Sequence, residues 1–303
     1  MDYWEDVDPL LVLMVVIKGP YGGVLLLAVA LDANNGLFPV AFAIVESEQN
    51  ETWRWFFYWL NNFVGAWPRD KPWTFMSDRK KTYIYANFKA QYPGLLLRNY
   101  FWQAAKSYEV KYFNEAMEMI KQINSKAWEY LSKIDKRTWA RHTFDPRVKT
   151  DHITNNNISE SFNSWIGELR VKPILKLVDG LRAKLMTRLH TRYQKGRGWE
   201  SEVPPTIIEK LNKAKKDSRK CTLQVAATNE FEVIDKDRYY IVNLDTRTCQ
   251  CGIFQISGLP CKHAALGISH KRDLREAYCD PMLKTEAYLK SYILFLMKLF
   301  GHL

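Results

Sequence analysis

Cysteine is scarce in this chain: five residues in 303, three of them crowded between positions 249 and 261. That scarcity argues against a disulfide-stapled secreted domain and for a reducing compartment. Long hydrophobic runs are missing too. Leu10–Ile17 and Val24–Leu31 are too short to cross a bilayer and read as buried strands. The opening Met1-Asp2-Tyr3-Trp4-Glu5-Asp6 is acidic, unlike a signal peptide. No internal repeat is present. Acidic charge is in deficit: 33 Asp and Glu against 44 Lys and Arg give a net charge of +11 and a pI near 9.3. A surface of that sign suits nucleic acid or another polyanion, although a merely soluble basic protein has the same composition. What is abundant is apolar: 47% hydrophobic and 14% aromatic residues support a packed core rather than disorder. The length allows two or three units.

The clearest chemistry lies at Cys249, Cys251, Cys261 and His263. They form Cys-x-Cys, a nine-residue gap, then Cys-x-His. Three thiolates and one imidazole complete a tetrahedral set for Zn²⁺ and leave no open position for metal catalysis. Phe231–Ile234 and Arg238–Leu244 alternate apolar and polar residues around Asp235-Lys236-Asp237 and predict a hairpin. Cys249 and Cys251 follow its second strand, two residues apart, so their side chains point the same way. Gly258-Leu259-Pro260 predicts a turn, and Cys261 opens a short helix through Ile268, whose dipole favours thiolate. Buried structural cysteines, a disulfide, or a catalytic Cys-His pair would each explain fewer of the four residues.

The rest of the chain reads as strands and then helices. Leu10–Ile17, Val24–Leu31 and Phe38–Val45 are joined by short turns and predict an antiparallel meander. Asp32-Ala33-Asn34-Asn35-Gly36 is dense in turn formers, so Asp32 reads as a turn residue. Glu51–Val64 predicts a helix that packs Trp53, Phe56, Phe57, Leu60 and Phe63 on the sheet. Trp73–Met76 predicts a fourth strand ending at Ser77-Asp78. Three hairpin strands, a helix and a further strand open a ribonuclease-H-like fold. A parallel crossover should follow, needing about a dozen residues or more. Instead Arg79-Lys80-Lys81 runs almost at once into the helical Thr82–Tyr92.

Leu95–Ile134 is helical throughout, with stripes at Phe113, Met117 and Ile120 and at Trp128, Leu131 and Ile134. A helix carries Ile158, Phe162, Trp165, Ile166 and Leu169. Pro173 sits at the first turn of the next, which faces Ile174, Leu177, Leu181, Leu185 and Leu189 inward. Its outer face carries Lys176, Arg182, Lys184, Arg188, Arg192 and Lys195, either solvated or set against DNA. Gln194–Gly198 and Pro204-Pro205 read as linkers around a loose, charged segment through Lys220. Lys284–Leu303 predicts an amphipathic helix with Tyr288, Tyr292, Phe295 and Leu299 on one stripe.

The cysteine spacing resembles the SWIM zinc finger. Further motifs resemble the core of the plant Mutator-like element (MULE) transposases: Ile17-Lys18-Gly19-Pro20-Tyr21-Gly22-Gly23, Ala28–Gly36, Pro39–Ala43, Val45–Glu48, Met76-Ser77-Asp78-Arg79, Tyr85-Ala86-Asn87-Phe88-Lys89 and Asn156–Asn163. The resemblance spans roughly residues 10 to 292. It implies an α/β fold: an incomplete ribonuclease-H-like core over 1–95, a helical region over 96–200 that includes the final core helix, a ββα SWIM finger over 221–270 and a C-terminal helix over 280–303.

The family's metal-binding triad is Asp, Asp, Glu. Asp78 matches its second member and Glu160 its third. Both carboxylates suit hard Mg²⁺, two ions of which clamp a phosphodiester in such enzymes. The first Asp, part of an Asp-Gly pair, falls on Leu13-Met14 here, and neither Asp8 nor Asp32 replaces it. A crossover helix and a strand bearing a Cys-x-x-His pair are also missing after Asp78, as is the family's upstream DNA-binding region. The resemblance therefore implies a degenerate or domesticated copy, in which Asp78 and Glu160 are vestigial. The expectation is a nuclear, DNA- or protein-binding factor holding structural Zn²⁺, without cleavage activity, membrane contact or a small-molecule substrate. Its rival is a Mg²⁺-dependent nuclease using Asp78, Glu160 and a substitute acid. A relic without function is the third reading.

Overall fold

The computed structural model describes the backbone of residues 10–18, 23–64, 74–147 and 157–300, and the side chains of 23–62, 84–147, 161–162 and 164–293. The chain begins with β1 (Leu10–Lys18), β2 (Val24–Leu31), β3 (Leu37–Val45), α1 (Asn50–Val64) and β4 (Thr74–Ser77). Helices follow: α2 (Asp78–Gln91), α3 (Leu95–Lys106), α4 (Val110–Ile123), α5 (Ser125–Ser132), α6 (Asn157–Ile166), α7 (Ile174–Arg197) and α8 (Pro205–Ser218). The final part holds β5 (Cys221–Ala227), β6 (Glu230–Asp235), β7 (Arg238–Asn243), β8 (Thr248–Cys249), α9 (Ile253–Ser257), α10 (Lys262–Lys271) and α11 (Thr285–Phe300). No described helix is long and apolar enough to cross a membrane.

The fold is mixed α/β and mostly helical, in two compact units. One unit comprises Met1–Met76, Asn155–Asn212 and Cys279–Leu303. Its sheet has the order β3-β2-β1-β4. β1, β2 and β3 form the expected antiparallel meander, with Val12 opposite Val29 and Leu26 opposite Ala43. All of β2 is buried, which is why its sequence lacks alternation. Phe56 and Leu60 of α1, Leu189 of α7, and Tyr288 and Tyr292 of α11 close the core over β2 and β3. Phe63, Phe295 and Leu299 lie outside the described side chains.

Asp32 does more than turn the chain. Its carboxylate accepts from the backbone N–H of Asn34 and Gly36 at 2.9 and 2.7 Å, as expected of a turn former. It also pairs with Arg192 Nη1 at 3.1 Å and accepts from the Tyr292 hydroxyl at 2.6 Å. Arg192 donates in addition to the Leu37 carbonyl at 2.6 Å. The expected solvated face of α7 is therefore corrected at Arg192, which is turned into the core to meet a buried acid. Ile174 and Leu175, at the start of α7, are exposed, so the inward stripe begins lower, at Leu181. Pro173 is the residue before the helix rather than in its first turn.

The supposed loose segment through Lys220 is also corrected. It is α8, which buries Ile207 and Leu211 one turn apart and starts at Pro205, where a missing N–H costs nothing. Thr206 donates both its N–H and its hydroxyl to Asn34 Oδ1.

The second unit comprises Ser77–Thr154 and Lys213–Tyr278. In its helical part Phe88, Phe101, Phe113, Met117, Ile120, Leu131 and Trp139 are buried together. Phe101 and Trp139 stack at 5.3 Å with an interplanar angle of 7°. α2 starts at Asp78, directly after β4, so no crossover intervenes. The remainder is a four-stranded antiparallel sheet, β5-β6-β7-β8, under α10. β5 and β8 enlarge the hairpin read from sequence. α10 lies so close to β6 that a Cβ on Gly267 would sit 2.8 Å from the Phe231 ring.

Breaking the buried pair in the first unit leaves Arg192 with an uncompensated charge. Asp32→Ala should lose about 3 kcal/mol in a chemical denaturation curve. A loss under about 0.5 kcal/mol, the scale of an ordinary surface substitution, would contradict this role.

Candidate metal centre

Each ligand position follows from local backbone. β8 ends at Cys249, which pairs across to Val242. Gly252 and Gly258, at φ 76° and 72°, start and stop the one-turn α9, bringing the chain back through Leu259-Pro260. Cys261 is the N-cap of α10, and its sulfur accepts from the Ala264 N–H at 3.4 Å. His263 stands in the first turn of the same helix.

The four side chains are 2–3% exposed, and their donor atoms all lie within 4.8 Å of one another. A tetrahedral zinc ion with Zn–S near 2.3 Å asks for sulfurs about 3.8 Å apart, so a small closure of this cluster holds the ion. His263 offers Nδ1 to the cluster, 3.5 Å from Cys249 Sγ. Its other nitrogen, Nε2, lies 3.4 Å from Asp235 Oδ2. Such a carboxylate fixes which nitrogen carries the proton and raises the basicity of the ligating one. Lys262 Nζ donates to the same Asp235 oxygen. Burial works to raise the Asp235 carboxyl, but Lys262 and His263 hold it below its usual value. On its far side the imidazole stacks on Tyr240 at 4.2 Å and 15°.

The thiols are tuned unequally by their own contacts. Contact with Cys249 and then Cys261 pushes Cys251 well up. At Cys249 the Cys251 contact lowers the thiol, yet Cys261 and burial outweigh it and raise it. Burial opposes ionisation of Cys261, but its three partners and the Ala264 N–H overcome this and depress it. The N-terminus of α10, where Cys261 sits, favours a thiolate.

A second trio, Cys221, Asp235 and His263, also falls within 4.8 Å. The Lys262 ammonium already sits on its carboxylate, so an added cation would meet a like charge. The structure thus brings together all four residues read from the cysteine spacing. Two supporting residues, Asp235 and Tyr240, were hidden in sequence: the first looked like a hairpin-turn acid, the second like one strand aromatic among several. Asp78 is the first residue of α2 and Glu160 lies in α6; both side chains fall outside the described ones. Asp8 also lies outside the described residues. Asp32 is committed to Arg192 and Tyr292.

Asp235→Asn should weaken zinc binding about 10- to 100-fold in a chelator competition, with the fold of the loaded chain kept. Cys261→Ser should do worse, because it removes a thiolate ligand itself rather than the support of one. Zinc affinity unchanged in Asp235→Asn would show that the carboxylate does not orient His263.

Two family models match the chain. The MULE transposase domain covers residues 18–107, which contain β2, β3, α1, β4 and Asp78 but of β1 only Lys18. The SWIM zinc finger covers residues 240–266, which contain all four clustered ligands. No curated protein and no solved structure matches. The chain thus carries a stretch that matches a MULE transposase domain and, nearer its C-terminus, one that matches a SWIM zinc finger.

Proposed function

We propose that this chain is a zinc-binding factor derived from a plant-type transposase, which engages DNA in the nucleus, with protein partners as a secondary possibility, and does not cut it. Zn²⁺ is held by Cys249, Cys251, Cys261 and His263 as a structural ion, since three thiolates and an imidazole fill its coordination and leave no place for water or substrate. The finger then presents its sheet and α10 as a rigid body. The excess of basic residues supplies the sequence-independent attraction to phosphate.

The observation that carries the inactive reading is the direct passage from β4 into α2 at Asp78. The strand order β3-β2-β1-β4 supports the opening of a ribonuclease-H-like sheet, and the immediate helix supports the loss of the crossover and fifth strand. With Leu13-Met14 where the family carries its first Asp, Asp78 and Glu160 lack a third carboxylate. Domestication of the element fits this loss. Under this reading residues 1–95 are the truncated core, 96–200 the helical region, 221–270 the finger and 280–303 the closing helix. The rival reading, a Mg²⁺-dependent transposase or nuclease, needs a substitute acid near Asp78 and Glu160.

Incubation of the zinc-loaded chain with supercoiled plasmid and Mg²⁺ should yield no nicked product above a protein-free control, while duplex DNA should bind with an affinity that falls as salt rises. Nicking that disappears in both Asp78→Asn and Glu160→Gln would establish the rival. Absence of DNA binding at low salt would remove the DNA partner.

A further inference from the structure

The first unit contains a charged groove for which the zinc finger has no use. It measures about 540 Å³ and is lined along α7 by Lys184, Thr187, Arg188, Thr191 and Arg192, with Trp165 of α6 opposite. No carboxylate is among its described lining residues.

Two of the three cations are committed. Lys184 Nζ donates to the carbonyls of Trp165 and Ile166 at 3.0 and 3.2 Å, capping the end of α6. Arg192 is held by Asp32, Leu37 and Tyr292. Arg188 differs. Its guanidinium lies over the Trp165 indole, 4.9 Å from the ring centroid. Its Nε is buried and has no hydrogen-bond partner among the described residues. Burial and then the Arg192 charge both work against its ionisation. An unsatisfied buried N–H on a cation is costly and calls for a cause. A guanidinium held over an indole on the wall of a groove matches an oxyanion that accepts two parallel hydrogen bonds. Thr191, three residues further on the same helix face, adds a hydroxyl.

We propose that this groove binds a phosphate group, with Arg188 as the bidentate donor, Lys184 and Thr191 beside it, and Trp165 as the platform that fixes the guanidinium. Two sources carry this chemistry: the phosphodiester backbone of a nucleic-acid strand, and a free nucleotide or pyrophosphate. The first deepens the DNA-binding reading and rests on it; the second does not.

The test uses the full zinc-loaded chain with three probes: a labelled single strand, its duplex, and pyrophosphate. Arg188→Met and Arg188→Gln should weaken strand or duplex binding about tenfold, one charged, bidentate contact. The slope of affinity against salt should shrink by about one phosphate. Arg188→Lys, which keeps the charge but not the fork, should fall between. If pyrophosphate raises the thermal midpoint of the wild type but not of Arg188→Met, the free-phosphate source is supported. If the strand alone responds, the nucleic-acid source is. Without ligand, Arg188→Met should melt no lower than the wild type, because it removes a partly buried cation whose Nε makes no hydrogen bond among the described residues. A midpoint several degrees lower would make Arg188 structural and overturn the proposal. Equal DNA affinity in wild type and variants, with no pyrophosphate shift, would overturn the groove and leave the DNA reading standing. Failure of the wild type to bind any probe would remove both.

Discussion

Three sulfurs and one imidazole nitrogen share a space less than 5 Å across, and the finger is organised around that convergence. The hairpin delivers Cys249, two left-handed glycines return the chain, and an N-cap presents Cys261. Zinc binding in such units supplies roughly 10–16 kcal/mol. The residues around the cluster therefore matter chiefly for how they orient ligands. Asp235 aims the histidine, Lys262 holds Asp235, and Tyr240 covers the ring.

The first unit has been resolved differently. A phosphodiester-cutting centre needs carboxylates left free to hold hard cations. Asp32, the described acid nearest the meander's second turn, is consumed by an ion pair that ties β2 to α7 and α11. That pair stabilises the sheet and leaves the Asp32 carboxylate fully engaged. Charge on α7 is likewise divided between structure and surface: Arg192 is internal, Lys184 caps a helix, and Arg188 lies over Trp165 with an N–H that has no partner among the described residues.

What was legible in the sequence depended on range. The meander, the aromatic stripe of α1 and the four-residue ligand set are local patterns, fixed by alternation, helical period and spacing. The ion pair of Asp32 with Arg192 joins residues 160 positions apart, and neither side carries a local mark of its partner. Asp235 is similar: its role depends on α10 folding back over β6. α8 was hidden for another reason. Pro204-Pro205 and a dense run of lysines suggest a linker, and the buried pair Ile207 and Leu211 is too sparse to contradict it. Strand β5 was missed because most of its residues are exposed, which weakens the alternation that marks a strand.

X-ray absorption at the zinc edge, recorded on the full chain, addresses the central claim most directly. The account predicts one ion per chain surrounded by three sulfurs near 2.3 Å and one nitrogen near 2.0 Å. A shell dominated by oxygen or by several nitrogens, or a folded chain that carries no zinc, would contradict it.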